Sequence, residues 1–174
     1  MPTVAIIGAG PLGRRLAFCA ARAGFHVFLE DVMPANLHHA RESIRQQLNA
    51  EALPSVVFVS SVEDAVRQAD LVIDCVPDEL ESKLEIFWLL DRMAPPRTVF
   101  ATPTAHLSIA DLTACTYRPD KCIAIAAAPE ELIAEAPGHL RLHATTVTSQ
   151  ETLALTVDFW SRLGFAPAVE QDAK

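Results

Sequence analysis

A glycine-rich turn, Gly8-Ala9-Gly10-Pro11-Leu12-Gly13, stands between the apolar run Val4-Ala5-Ile6-Ile7 and a segment whose apolar residues recur at helical spacing. At a strand-to-helix junction this G-x-G-x-x-G spacing has a physical meaning. The first glycine permits a tight turn, the second lets a pyrophosphate approach the main chain, and the third lets helix pack closely on strand. A second apolar run follows the helix and ends in the acidic pair Glu30-Asp31. Strand, loop, helix and acid in that order predict a dinucleotide-binding unit.

Short β-branched runs alternate with helical patterns along the chain. Strands are predicted at 3–7, 26–30, 56–60, 70–75, 98–102 and 121–126, and helices at 11–23, 34–50, 62–68, 79–93 and 108–115. Beyond Pro137-Gly138 come a strand near 139–147, a helix at 150–163 and a short strand near 165–169. The alternation predicts the α/β class: a doubly wound, mostly parallel sheet of Rossmann type in three αβα layers. Leu71-Val72-Ile73-Asp74-Cys75-Val76 and Val56-Val57-Phe58-Val59 are almost continuously apolar, as burial beneath helices on both faces requires. Ser61 is placed to cap the helix at 62–68 and Asp78 the one at 79–93, which Pro95-Pro96 stops. Pro34 opens the helix at 34–50, and Gly24 ends the one behind the glycine loop. Trp88 and Trp160 read as core or interface bulk.

At 174 residues the chain fits one domain, 1–174, with no linker, repeat or low-complexity tract to divide it. No run approaches a membrane span, and the first strand lacks the basic flank of a signal peptide, so a soluble cytoplasmic protein is expected. A net charge of −8 repels nucleic acid and anionic lipid. The expected partner is a small molecule or another protein. Four cysteines, Cys19, Cys75, Cys115 and Cys122, lack metal-ligand spacing and read as buried, reduced thiols.

The implied geometry lays a pyrophosphate against the amino end of helix 11–23, where free N–H groups and the helix dipole favour negative charge. Pro11 sacrifices nothing there, because its N–H would have lacked an intrahelical partner. A carboxylate at the end of the second strand accepts the adenosine ribose hydroxyls and repels a 2′-phosphate, so Asp31 predicts NAD rather than NADP. The alternative is that one of the pair Glu30-Asp31 only caps the following segment.

With those positions fixed, the sequence resembles the NAD-binding domain of the L-3-hydroxyacyl-CoA dehydrogenase family, enzymes of fatty acid metabolism. The likeness is carried by Val4 to Gly13, by Ala69-Asp70-Leu71-Val72-Ile73-Asp74-Cys75-Val76-Pro77-Asp78-Glu79-Leu80-Glu81-Ser82-Lys83, by Leu107-Ser108-Ile109-Ala110-Asp111-Leu112, and by Thr148-Ser149-Gln150-Glu151-Thr152. The resemblance implies that Val76 touches the cofactor by its backbone, that Asp78 stands where the family usually has Glu, and that Lys83 reaches toward the ribose and that acid. A solvated helix face is the other reading of Lys83. Thr102 and Thr104 join Gly8, Gly10, Pro11, Leu12, Gly13, Asp31, Val76, Asp78 and Lys83 as the expected NAD-binding residues.

The family's proton-transfer residues are replaced. Its loop Ser falls on Ala105 and its base, a His, on Ala126; the Glu that orients that His falls on Arg141. A methyl group accepts no proton. The segment 164–172 is similar to the family's last strand, after which a helical domain would begin. The chain stops at Lys174, and a natural stand-alone domain is expected, pairing as a homodimer or with a separate helical chain.

Other groups carry less. His106 lies on a loop at the carboxyl edge of the sheet, but no carboxylate at fixed sequence spacing orients it. His139 and His143, four residues apart on a strand, are about 13 Å apart and too distant for one ion. His38-His39 read as solvated, and Arg14, Arg15 and Arg22 as a charged helix face. The leading expectation is an NAD-binding protein without the family's dehydrogenase activity. The alternatives are a working oxidoreductase on a small hydroxy or carbonyl compound, using His106 or a partner chain, and a module for protein contact.

Overall fold

The apolar runs become strands because helices cover them on both faces. In the computed structural model, which describes residues 2–48, 55–133 and 137–171, they are β1 (Thr3–Ile7), β2 (His26–Glu30), β3 (Val56–Val59), β4 (Leu71–Asp74), β5 (Val99–Thr104), β6 (Cys122–Ala126), β7 (His139–Ala144) and β8 (Ala166–Gln171). The helices are α1 (Pro11–Arg22), α2 (Pro34–Gln47), α3 (Val62–Val66), α4 (Leu80–Met93), α5 (Ile109–Thr113), α6 (Pro129–Ile133) and α7 (Gln150–Arg162). The last two residues of the helix predicted at 34–50 lie outside the described residues. One sheet joins the strands in the order β3-β2-β1-β4-β5-β6-β7-β8. Its pairings are parallel except that of β6 with β7, so β7 and β8 run against the rest. The winding reverses between β1 and β4, and ligands of such sheets bind outside the carboxyl ends of strands at that point.

Alternation along each strand divides the core. Val4, Ile6, Ile73 and Ile123 pack with Leu16 of α1, Ile44 of α2 and Phe159 and Trp160 of α7. Ala5, Ile7, Val72 and Phe100 face the other way, among Val66 of α3, Phe87 and Leu90 of α4 and Leu112 of α5. Each large side chain so buried contributes about 1.5–3 kcal/mol. Trp160 is core, whereas Trp88 is half exposed beneath the Arg92 guanidinium.

Capping matches the sequence at Ser61, whose Oγ accepts the Asp64 N–H at 3.2 Å. It differs at Asp78. The N-cap of α4 is Glu79, without a side-chain cap, because the Asp78 carboxylate turns away to accept the Ala105 N–H at 2.9 Å. Periodicity does not reveal helix α6. Its signal is Pro129 followed by Glu130 and Glu131, a helix-opening proline with acids in the first turn. Burial pushes the Cys122 thiol up to about 12 and the Cys75 thiol up as well, so neither is a nucleophile at neutral pH. Among the described residues no helix is long and apolar enough to cross a membrane.

Candidate functional site

Two of the three loop glycines answer to the protein's own packing. Gly8 leaves β1 with φ +101°, and a Cβ there would lie 3.2 Å from the Cys75 carbonyl oxygen. A Cβ on Gly13 would lie 1.8 Å from the Gly8 oxygen, so α1 can begin this close to β1 only without a side chain. Gly10 is different. Its φ of −65° and ψ of −173° suit any residue, and a Cβ there would meet nothing within 4 Å. Gly10 is also the N-cap of α1, with no side-chain cap and no acid in the first turn. The helix therefore presents an uncapped positive end to open space.

That space is a cavity of about 600 Å³, within the size range of small-molecule sites. Gly8, Gly10, Pro11 and Leu12 form one wall; Val62, Val76, Ile86 and Leu89 form an apolar one. Helix α6 adds Pro129, Glu130 and Ile133. Among the described lining residues there is no Lys, Arg or His.

Asp31 also lines the cavity. Its Oδ2 accepts the Ala9 N–H at 2.9 Å and the Asn36 amide at 3.0 Å, and its Oδ1 accepts the Met33 N–H at 2.8 Å. The two readings of this acid are thus compatible: it braces the glycine loop and the start of α2 while facing the cavity. Glu30, the last residue of β2, lines the cavity too, with only 2% of its surface exposed. Burial, and then the neighbouring Asp31 charge, push its carboxyl up to about 7.

Lys83 and Thr102 are not brought to this cavity, and Lys83 does not lie on a solvated face. Lys83 is 1% exposed; its Nζ donates to Asp74 Oδ2 at 3.1 Å and Thr102 Oγ1 at 2.9 Å. Thr102 donates in turn to Asp74 Oδ2 at 2.8 Å, and the Val76 N–H donates to Asp74 Oδ1 at 2.9 Å. Burial drives the Asp74 carboxyl upward, opposed by the Lys83 ammonium and these hydrogen bonds. The cluster pins α4 and the loop bearing Val76 to the sheet.

A second cavity, of about 370 Å³, opens at the carboxyl edge of β5 and β6. Ala105, Ala126 and Arg141, the positions that the resemblance assigns to the family's Ser, His and Glu, line it together. Thr104 lines it as well and shapes its loop, accepting the N–H groups of His106 at 3.3 Å and Leu107 at 3.0 Å. Here the structure corrects the reading of His106. Its Nδ1 lies 3.4 Å from Asp78 Oδ2, a carboxylate delivered by the loop after β4 rather than by nearby sequence. Across the cavity, Glu170 stands 3.5 Å from His143 and 3.9 Å from Arg141.

The model of the family described as 3-hydroxyacyl-CoA dehydrogenase, NAD binding domain, matches residues 3–173. A probable 3-hydroxybutyryl-CoA dehydrogenase of Bacillus subtilis is 32% identical over 132 residues, covering 69% of this chain and 46% of its own length. A 5-formyl-3-hydroxy-2-methylpyridine 4-carboxylate 5-dehydrogenase of Mesorhizobium japonicum is 30% identical over 178 residues, covering 95% of this chain and 56% of its own. Among solved structures, a diketoreductase of dicarbonyl compounds superimposes with a TM-score of 0.85 at 29% identity, over 100% of this chain and 65% of that one. The chain spans about half the length of the curated relatives it matches.

Proposed function

Because the chain belongs to the 3-hydroxyacyl-CoA dehydrogenase family, through that family's NAD-binding domain, we propose that it holds NAD in the glycine-loop cavity and does not by itself perform the family's dehydrogenation. The observation that carries this is the conjunction of an open, uncapped cradle at Gly10 with Ala105, Ala126 and Arg141 in the neighbouring cavity. Gly8, Gly10, Pro11 and Leu12 offer the pyrophosphate main chain and a helix end; Gly13 makes that approach possible from behind. Asp31 faces the ribose, and Val76 the adenosine half. Bound NAD would supply a hydride acceptor, but none of the three aligned positions can take the accompanying proton in the family's manner.

Calorimetric titration is the test. Saturable binding of NADH is expected, with NADPH weaker by about tenfold or more, since its extra phosphate would meet carboxylates and no cation. No heat and no thermal shift at millimolar NADH would remove the reading. Turnover of a 3-hydroxyacyl-CoA by the isolated chain would overturn its second half.

One observation favours a second reading, the Asp78–His106 approach of 3.4 Å. In this reading a histidine beside a carboxylate serves as general base for oxidation of a small hydroxy compound, or as the acid for the reverse reaction. That reading predicts turnover lost in His106→Ala, and absence of turnover across hydroxy acids and ketones sinks it. The single domain at 1–174, the cytoplasmic setting and the homodimer or helical partner chain belong to the same proposal. Support for the last is the exposure of Val32, Met33, Leu80 and Trp88.

A further inference from the structure

We propose that nucleotide binding in the glycine-loop cavity is linked to one proton through Glu30, whose carboxyl must be neutral for the adenosine half to seat. The inference rests on the NAD reading of the cavity and goes beyond it, because Asp31 alone answers the ribose requirement.

Three observations carry it. Glu30 follows Phe28 in strand parity, so its side chain turns toward the α3 and α4 face, where the apolar residues Val62, Ile86 and Leu89 line the cavity. Its Oε1 is sealed from solvent and finds no hydrogen-bond partner among the described residues. A charged carboxylate in that position would forfeit its hydration without compensation, whereas a neutral acid loses far less. Lastly, the surrounding charges are of the wrong sign to hold it ionised. Asp31 adjoins it, Asp74 of β4 stands in register on the far side of Ile7 from Glu30, and Glu130 of α6 lines the same cavity. Glu63 and Asp64 on α3, and Glu85 on α4, are exposed, and Arg67 is taken up by the α3 pair. Lys83 of α4 is engaged by Asp74 and Thr102.

A dinucleotide adds two phosphate charges and expels the remaining water, which raises the affinity of Glu30 for its proton further. The sign follows by linkage. Binding is strongest where Glu30 is already neutral and weakens as pH rises above about 7, where a proton must be taken up.

The experiment is titration of the full chain with NADH at pH 6 and pH 8, run at each pH in two buffers of different ionisation enthalpy. The native protein is expected to bind about tenfold more weakly at pH 8 and to take up about one proton per NADH there. Glu30→Gln keeps a donor–acceptor pair without a titration, and is expected to bind at both pH values as the native protein does at pH 6, with no proton uptake. Thermal denaturation of the variant checks that it is folded. NADH binding by the native protein without proton uptake, or uptake that persists in Glu30→Gln, overturns the proposal and leaves the NAD reading standing. Absence of NADH binding at pH 6 in both proteins overturns the two together.

Discussion

Gly13→Ala is expected to unfold the chain or destabilise it by more than about 3 kcal/mol, while Gly10→Ala leaves the fold intact and weakens NADH binding about 10- to 100-fold. The two substitutions add the same methyl group three residues apart, and the structure separates them. At Gly13 the new carbon would stand 1.8 Å from the Gly8 oxygen and 2.9 Å from the Gly8 carbonyl carbon, both main-chain atoms that no rotamer change can move. Relief requires α1 to retreat from β1, opening the contacts of the buried Leu12, Leu16 and Ala17. Against a net stability of about 5–15 kcal/mol, that loss is severe. At Gly10 the backbone already suits alanine, and restriction of the unfolded chain is worth about 0.4–1 kcal/mol in favour of the variant. Its methyl would occupy space the protein leaves open beside the end of α1. Thermal melts and NADH titrations of both variants decide the matter. Undiminished binding by Gly10→Ala would show that no pyrophosphate approaches there.

What the sequence disclosed of this fold was its local part. The glycine loop, the strands before and after it and the Ser61 cap are written in neighbouring residues, so spacing alone identifies them. Which of Glu30 and Asp31 turns inward is a matter of strand parity: Val27 and Leu29 face α1 and α2, so Glu30 goes with Phe28 to the opposite face. The Asp78–His106 approach was invisible because it is made by two loops at the sheet edge, joined only when β4 and β5 pair. Helix α6 is five residues long and follows an alanine run, too short to show a period. Lys83 is illegible for a different reason. A lysine on an amphipathic helix is ordinarily solvated, and only the register that puts Asp74 beneath α4 makes its burial favourable.

That burial gives the Lys83–Asp74 pair a large electrostatic stake. Lys83→Met is expected to cost about 3–5 kcal/mol, since it keeps the apolar volume but strands Asp74 without a cation at 1% exposure. Two hydrogen bonds remain to Asp74, from the Val76 N–H and from Thr102, and they do not replace the ammonium. The pH dependence of the variant follows from the sign of the penalty. A carboxyl whose folded pKa is raised destabilises the fold increasingly as pH rises above its unfolded value and not below it, so the deficit should be large at pH 7 and shrink toward pH 4. Adding Asp74→Asn to Lys83→Met removes the stranded charge and is expected to recover most of the loss at pH 7. Denaturant melts of the native protein, the single variant and the double variant at both pH values check the chain of reasoning. A single variant as stable as the native protein at pH 7 would mean that the cluster carries no charge. Because Asp74 also holds the Val76 N–H, the single variant should loosen the wall of the glycine-loop cavity. Weakened NADH binding under conditions where the variant is still folded would tie this buried pair to the shape of the site.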